Sequence, residues 1–340
     1  MKILVTGVAG FIGFHAAKAL LNQSHSVFAL DNMNDYYPVS LKRARLAQLE
    51  RHARFSFEAI DLANAHAVSA FVHRVQPDCV LHLAAQAGVR YSIENPGAYV
   101  ESNLSGFVNL IEACAHVDGL RHFLYASSSS VYGANTAIPF QTKDMTDYPI
   151  SLYAATKKAN ELIAHSYSHL YEMPVTGMRF FTVYGPWGRP DMAYYKFADA
   201  IMNHRPIKIY NNGNMRRDFT YVDDVVEAIT RLIPMPPEAS LMERSNGEFL
   251  SNARSRVINI GNNRPVELLR FIEVLEESLG RRAIREYLPM QPGDVPETYA
   301  CIDDLTALTG YRPSIAIEEG IERFAEWYLS YHEELAERIA

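Results

Sequence analysis

A tyrosine and a lysine four residues apart form the first pattern in the chain that could carry out chemistry. In SLYAATKKAN, Tyr153 and Lys157 lie at a predicted helix start, and their spacing places both side chains on one helical face. A phenol has a pKa of about 10 and is a poor base at neutral pH. A neighbouring ammonium favours the phenolate and lowers that pKa. The pair therefore predicts proton transfer by Tyr153.

A run of serines 25 residues before the tyrosine supplies a second candidate. Because the chain contains 20 tyrosines, a Y-x-x-x-K string alone arises readily by chance. The stretch ASSSSVYG at 126–133 resembles a flexible linker in composition. It follows the apolar stretch RHFLYA, however, and precedes Val131 and Tyr132, which favours the end of a core strand. We therefore predict that Ser128 belongs to a site.

Three glycines in VTGVAGFIGFH predict a site for a pyrophosphate. Gly7, Gly10 and Gly13 directly follow a predicted strand and open a predicted helix. Gly7 allows a tight turn, Gly10 allows close approach of a ligand to the backbone, and Gly13 allows the helix to pack on the sheet. The N–H groups at the helix start then face the pyrophosphate.

Residues after the next two predicted strands indicate which dinucleotide binds. Asp31 ends the second strand, where its carboxylate can accept hydrogen bonds from an adenosine ribose diol and would repel a 2′-phosphate. The sequence therefore predicts NAD rather than NADP, and the charge of oxidised nicotinamide would further favour the Tyr153 phenolate. Asp61 and Leu62 either contact the adenine or form a solvated strand end.

A layered scaffold must position these groups. Short apolar runs alternate with helical patterns, which indicates a parallel sheet covered on both faces. Right-handed crossovers then give a doubly wound, Rossmann-like α/β fold with ligands at the carboxyl ends of its strands. The predicted strands are 2–7, 26–31, 54–59, 79–84, 122–127 and 175–180.

The regularity weakens after about residue 185, where glycine, proline and asparagine accumulate. We expect an NAD-binding domain over 1–182, to which segments near 215–232 and 256–262 return. A smaller substrate-binding lobe is expected over 183–340. Residues 234–255 are predicted to be an exposed excursion, either mobile or a tolerated surface insertion.

Composition limits the classes of function. The 340 residues are 48% hydrophobic and 21% charged, as in ordinary soluble globular proteins. A net charge of −7 argues against nucleic acid or an anionic membrane as the main partner. Three scattered cysteines predict a reducing cytoplasm, and neither a signal peptide nor a membrane span is predicted. His165 and His169 lack a third ligand, so no metal site is predicted.

The motifs TGxxGxxG, SSSSVYG and YxxxK together resemble the extended short-chain dehydrogenase/reductase family of sugar-nucleotide enzymes. The resemblance covers nearly the whole chain, including RRDFTYVDD (216–224) and GDVPETYACIDD (293–304). It implies that Ser128 hydrogen-bonds the reacting hydroxyl and that Tyr153 is the base. Lys157 is implied to bind the nicotinamide ribose and lower the pKa of Tyr153. Asn103 is implied to be structural or near the cofactor.

The predicted cofactor-binding residues combine these positions with their neighbours at the strand ends. They are Gly7, Gly10, Phe11, Ile12, Gly13, Asp31, Asn32, Asp61, Leu62, Leu83, Ala84, Ala85, Asn103, Tyr153, Lys157 and Phe180.

Three longer stretches are similar to UDP-glucuronate 4-epimerases, namely NDYYPVSLKRARL, HLAAQAGVRYSIENP and RFFTVYGPWGRPDMA. By that resemblance Thr182 and Arg189 recognise the C5 carboxylate, helped by Ser129 and Ser130, while Arg217 engages the diphosphate. A guanidinium fits a carboxylate with two parallel hydrogen bonds, which a lysine cannot do.

Two further positions are candidates for substrate contacts. Arg90 either binds anionic groups of the substrate or forms a salt bridge with an acidic neighbour such as Glu94. Asp294 is a candidate for the uridine ribose. Some related hexose epimerases carry arginine before this G-D pair, whereas this chain has Gln291, so a second phosphate-binding arginine is not predicted there.

The implied reaction interconverts UDP-glucuronate and UDP-galacturonate through a 4-keto sugar. Related decarboxylases and 4,6-dehydratases carry acidic residues where this chain has Ser129 and Ser130, which favours epimerisation. UDP-glucose 4-epimerase, UDP-glucuronate decarboxylase and a catalytically silent NAD-binding regulator remain alternatives. The resemblance also implies a homodimer formed through FVNLIEACAHV and the helix that begins at Tyr153.

Overall fold

The computed structural model describes residues 1–239, 242–243, 249–291 and 295–339. Asp294, a predicted substrate-binding residue, lies outside the described residues. So does part of the predicted excursion at 234–255.

The strands alternate with helices through the first half of the chain. They are β1 Lys2–Thr6, β2 Ser26–Asp31, β3 Phe55–Ala59, β4 Cys79–His82, β5 His122–Ser128, β6 Val175–Phe180, β7 Thr182–Tyr184, β8 Pro206–Ile209, β9 Arg216–Tyr221, β10 Met242–Glu243, β11 Phe249–Ser251, β12 Ser255–Ile260, β13 Pro265–Glu267 and β14 Ile284–Tyr287.

The helices include one π-helical and two short 3-10 segments, at Val100–Ser105, Ser129–Tyr132 and Tyr210–Gly213. The α-helices are α1 Phe11–Asn22, α2 Val39–Leu49, α3 Ala65–Val75, α4 Tyr91–Glu94, α5 Pro96–Tyr99, α6 Gly106–Ala115, α7 Leu152–Tyr171, α8 Ala193–Met202, α9 Val222–Leu232, α10 Leu268–Leu279, α11 Asp303–Thr309 and α12 Ile317–Ile339.

A central sheet of seven parallel strands has the order β12-β6-β5-β4-β1-β2-β3. Every residue of β4 and β6 is buried, because helices cover both faces. On one face α1 contacts α2 and α9, and on the other α6 contacts α3 and α7. The predicted doubly wound α/β fold is therefore confirmed.

The second half of the chain contributes to both parts of the molecule. Strand β12 pairs with β6 in the central sheet, and α9 packs against α1. Strands β7, β9 and β13 form a small mixed sheet, while β8 pairs with β14. The division of the chain at 182/183 stays a prediction.

Within the described ranges, no helix combines the length and the apolar character that crossing a membrane requires. The same residues contain no group of three or more His, Cys, Asp or Glu side chains placed to hold a metal ion.

Candidate active site

A cavity of about 550 Å³ lies at the carboxyl ends of the central strands. Its wall includes the glycine turn, the end of β2, the residues after β4, the serine run, the segments 180–183 and 192–194, and Arg189. Every predicted cofactor- or substrate-binding residue that the structure describes lines this cavity, with Asn103 as the exception. Residues far apart in sequence therefore meet in one place.

The glycine turn has the geometry that a pyrophosphate site requires. Gly7 has φ of +71°, a conformation that favours glycine, and its carbonyl accepts a hydrogen bond from the Gly10 N–H at 3.0 Å. A Cβ on Gly13 would lie 2.1 Å from the Gly7 oxygen, so the close approach of α1 to the turn requires glycine there. Helix α1 begins at Phe11, directly after the turn.

The end of β2 is held by hydrogen bonds from backbone N–H groups. The Asp31 carboxylate accepts them from Ala9 at 3.1 Å and from Met33 at 2.8 Å. The Asn32 amide donates to the Asp61 carboxylate at 2.9 Å, which joins the ends of β2 and β3. These polar groups line the cavity beside the glycine turn and fit an adenosine ribose.

The serine run is the end of β5 followed by one tight turn. Ser128 is the last residue of the strand, and its Oγ accepts a hydrogen bond from the Ser130 N–H at 3.2 Å. Ser129 and Ser130 lie in the following 3-10 segment and are half-buried. The run is therefore part of the cavity wall and not a linker.

The neighbouring Ser127 contacts a buried ion pair that no sequence pattern predicted. Its hydroxyl donates to Glu161 at 2.7 Å, and Glu161 accepts two hydrogen bonds from Arg179, at 2.8 and 2.9 Å. Both charged side chains are less than a tenth exposed. The pair thus joins β5, β6 and α7 next to the cavity.

Helix α7 presents Tyr153 and Lys157, as the spacing predicted. Its start is capped by Ser151, whose side chain accepts a hydrogen bond from the Ala154 N–H. The buried Lys157 ammonium donates to the carbonyl of Ala126 at 2.9 Å. Burial lowers the pKa of Lys157 to about 8.

Burial and two polar neighbours act on the pKa of Tyr153. In the protein alone, burial raises this pKa, while a hydrogen bond with Ser128 and the charge of Arg189 lower it. The Lys157 ammonium is directed at the Ala126 carbonyl, and the lowering effect that the resemblance assigned to it stays a prediction. The bound nicotinamide would add a positive charge to this environment.

Asn103 does not line the cavity, and its inclusion among the cofactor-binding residues stays a prediction. It is buried, its Oδ1 accepts from the Gln86 N–H at 2.8 Å, and its Nδ2 donates to the Gln86 carbonyl and to Thr156. Asn103 therefore ties the loop after β4 to α7, the structural alternative that the resemblance allowed.

The substrate side of the cavity contains an ion pair between Arg189 and Asp191. Arg189 Nε donates to Asp191 at 3.0 Å, and Arg189 Nη2 donates to the other carboxylate oxygen. Burial opposes both charges, yet each partner stabilises the other, so the pKa of Asp191 lies below its usual value. Sequence reasoning missed Asp191, although its place two residues after Arg189 was a signal.

Basic and aromatic side chains complete this side of the cavity. The Arg90 guanidinium lies 4.8 Å from the centre of the Tyr210 ring, a cation–π contact. Arg217 Nη1 donates to the carbonyls of Arg216 and Pro296 at 2.9 and 3.0 Å. Lys208, which sequence reasoning also missed, lines the cavity with them. Together they favour a polyanionic ligand.

Comparisons with known proteins agree with this geometry. The model of the NAD dependent epimerase/dehydratase family matches residues 3–246. Protein CapI of Staphylococcus aureus is 54% identical over 334 residues, covering 98% of this chain and 99% of that protein. The probable UDP-glucuronate 4-epimerase of Rhizobium meliloti (strain 1021) is 52% identical over 331 residues, covering 96% and 97%.

A solved structure is similar over almost the same length. The UDP-glucuronic acid 4-epimerase from Bacillus cereus, in complex with UDP-glucuronic acid and NAD, matches with a TM-score of 0.86 and 33% identity. The match covers 97% of this chain and all of that one, at 100%.

Proposed function

Because this chain belongs to the NAD dependent epimerase/dehydratase family, we propose that it interconverts UDP-glucuronate and UDP-galacturonate by NAD-dependent epimerisation at C4. One observation carries the proposal. Arg189 and Tyr153 line the same cavity, and the charge of Arg189 lowers the pKa of the phenol. A group suited to a sugar carboxylate therefore lies beside the group suited to proton transfer.

The residues of the first half fit NAD. The glycine turn and the start of α1 would hold the pyrophosphate, and Asp31 would hold the adenosine ribose. Lys157 would bind the nicotinamide ribose from α7. When bound, NAD supplies the acceptor and donor of a hydride.

Tyr153 would move the proton of the sugar 4-hydroxyl. Its phenolate takes the proton as the hydroxyl is oxidised, and Ser128 orients that hydroxyl by a hydrogen bond. The 4-keto sugar then turns about its phosphate linkage and is reduced on the other face. Tyr153 returns its proton to the new hydroxyl, so no net proton is consumed.

The carboxylate must be restrained during this sequence. A 4-keto uronic acid is a β-keto acid, which loses carbon dioxide when the breaking bond aligns with the carbonyl. Arg189, Thr182 and the two serines Ser129 and Ser130 line the cavity and would hold the carboxylate out of that alignment. The serines offer hydrogen bonds without the acidic groups that would assist other proton transfers.

The proposal also covers the nucleotide part of the substrate, the oligomeric state and the location of the protein. Arg217 and Arg90 would bind the diphosphate, with Asp294 at the uridine ribose. Helices α6 and α7 carry exposed apolar side chains, including Val108 at 36% and Leu162 at 58% exposure, which would form a homodimer interface. Cysteines outside disulfides fit a cytoplasmic location.

A single assay tests the proposal. Purified protein incubated with UDP-glucuronate alone should form UDP-galacturonate without added NAD, since the cofactor is regenerated in each cycle. Formation of a UDP-pentose with carbon dioxide would instead identify a decarboxylase. No conversion of any UDP-sugar would leave only the NAD-binding regulator.

A further inference from the structure

Asp191 has no part in the mechanism above, yet it forms a hydrogen-bonded ion pair with Arg189. Its carboxylate accepts hydrogen bonds from two nitrogens of that guanidinium and a third from the Tyr36 hydroxyl at 3.3 Å. The Arg189 and Asp191 side chains are only 21% and 19% exposed. Asp191 therefore neutralises the charge of Arg189, a residue of the cavity wall.

Asp191 and a substrate carboxylate would share one guanidinium. Arginine has five N–H donors, and Asp191 engages two of them. The remaining three can donate hydrogen bonds to a second carboxylate. The second anion would then enter an environment whose positive charge is already balanced, so its attraction to Arg189 is weaker than to an unpaired arginine.

This sharing matters because the sugar has to turn. The two half-reactions present opposite faces of the ring to the nicotinamide, so the carboxylate must leave and regain its contacts within one cycle. Releasing it from an otherwise unpaired arginine would leave an isolated charge in a half-buried site, which is costly. With Asp191 in place, the guanidinium keeps a counter-ion throughout.

We propose that Asp191 is a positioning residue that serves as the internal counter-ion of Arg189. The guanidinium then selects a uronate and still releases it while the keto sugar turns. Tyr36, which follows β2, donates a hydrogen bond to Asp191 and helps to fix the Asp191 carboxylate. This inference rests on the proposed function.

The isosteric variant Asp191→Asn removes the counter-ion's charge and keeps its shape. We expect the NAD-loaded variant to bind UDP-glucuronate about tenfold more tightly in calorimetry and to turn it over about tenfold more slowly. Binding of UDP-glucose should change less than about twofold, because its sugar has no carboxylate. Asp191→Glu restores the charge and should recover most of the turnover.

Several results would overturn the inference. Weaker binding of UDP-glucuronate by the Asp191→Asn variant would show that Asp191 only supports the loop. Equal changes for both sugars, or tighter uronate binding with unchanged turnover, would also exclude the counter-ion role. Failure of Asp191→Glu to recover turnover would exclude it as well.

A second pair of variants applies if Asp191→Asn does not fold. Arg189→Gln leaves Asp191 unpaired opposite the substrate carboxylate, whereas Arg189→Gln combined with Asp191→Asn removes both charges. The double variant should bind UDP-glucuronate about tenfold more tightly than the single one, because the repulsion is gone. Equal affinities would refute the inference.

The wild-type protein separates this inference from the proposed function. Absence of UDP-glucuronate conversion by the wild type would refute the proposed function, and the two calorimetric comparisons would still decide whether Asp191 balances Arg189. If the wild type converts UDP-glucuronate and the substitutions change the affinities for both UDP-sugars equally, the counter-ion role alone is refuted.

Discussion

The glycine turn and the Arg189 segment line one cavity, but they hold their polar groups in different ways. At the glycine turn itself, the hydrogen bonds involve the backbone, as between Gly10 and Gly7 and between Ala9 and Asp31. Around Arg189, side chains pair with side chains, and Tyr36 reaches Asp191 from 155 positions earlier in the sequence.

This difference corresponds to what each ligand would have to do. The cofactor stays in one orientation through a cycle. The glycine turn, which backbone hydrogen bonds hold in place, suits such a ligand. The sugar has to turn, and charged side chains with more than one partner suit a group that is released and rebound. The half around the glycine turn, named the rigid half, would therefore fix the chemistry. The half around Arg189, named the adaptable half, would determine which sugar is used.

Tyr153→Phe should have the largest effect, because it removes proton transfer and leaves both halves of the cavity intact. We expect turnover of UDP-glucuronate to fall about 1,000-fold or more. NAD content and the calorimetric affinity for UDP-glucuronate should change less than about threefold, since the ring remains in place. Retained turnover would remove Tyr153 from the role of base.

Glu161→Gln tests the support beneath the serine run. The variant leaves the Arg179 guanidinium buried without its counter-ion, so the free energy of unfolding should fall by about 3–5 kcal/mol. Urea denaturation measures the change. The matched control is Glu227→Gln, which removes an exposed ion pair with Arg231 and should cost less than about 1 kcal/mol. Similar losses for both would show that the buried pair contributes no special support.

The rigid half of the site was predictable from sequence because its signals are local. The glycine spacing, Asp31 and the pair Tyr153 and Lys157 each follow from the geometry of one turn, strand end or helix. Resemblance to a family was needed for Arg189 and Thr182, since nothing in their neighbourhood alone indicates a sugar carboxylate.

The pairings between distant segments were not predictable. Glu161 and Arg179 lie on different elements, and no local pattern indicates that they meet beneath Ser127. The direction of the Lys157 ammonium depended on where the Ala126 carbonyl lies. Such contacts are set by the packing of β5 against α7.

Lys157 provides a pH test of the rigid half in protein freed of NAD. Burial lowers the folded pKa to about 8 from 10.5, so below pH 8 the folded chain carries the full cost of a buried ammonium. Between pH 8 and 10.5 the unfolded chain holds the proton that the folded chain loses, and stability rises with pH. The cost is on the order of 3 kcal/mol.

Lys157→Met makes that cost measurable. The variant should exceed the wild type in free energy of unfolding by the largest margin near pH 7, and the margin should shrink as pH rises above 8. Denaturant titrations at pH 7, 8, 9 and 10 follow the difference. A margin that is independent of pH would mean that the buried ammonium is stabilised within the folded protein.

Arg189→Ala tests the adaptable half and should have the smallest effect of the four. Loss of a charge-assisted contact should lower kcat/KM for UDP-glucuronate by about 10- to 100-fold. Binding of UDP-glucose should change by less than about threefold, because that sugar has no carboxylate.

The matched control for Arg189→Ala is Arg217→Ala, which removes a contact proposed for the diphosphate. Both UDP-sugars carry the same diphosphate, so Arg217→Ala should weaken both by the same factor. If Arg189→Ala also weakens both equally, the guanidinium acts on a shared part of the substrate, and sugar choice does not reside in this segment. If only the uronate is affected, a single side chain discriminates between the two sugars. The glycine turn and the proton-transfer residues would then serve both sugars.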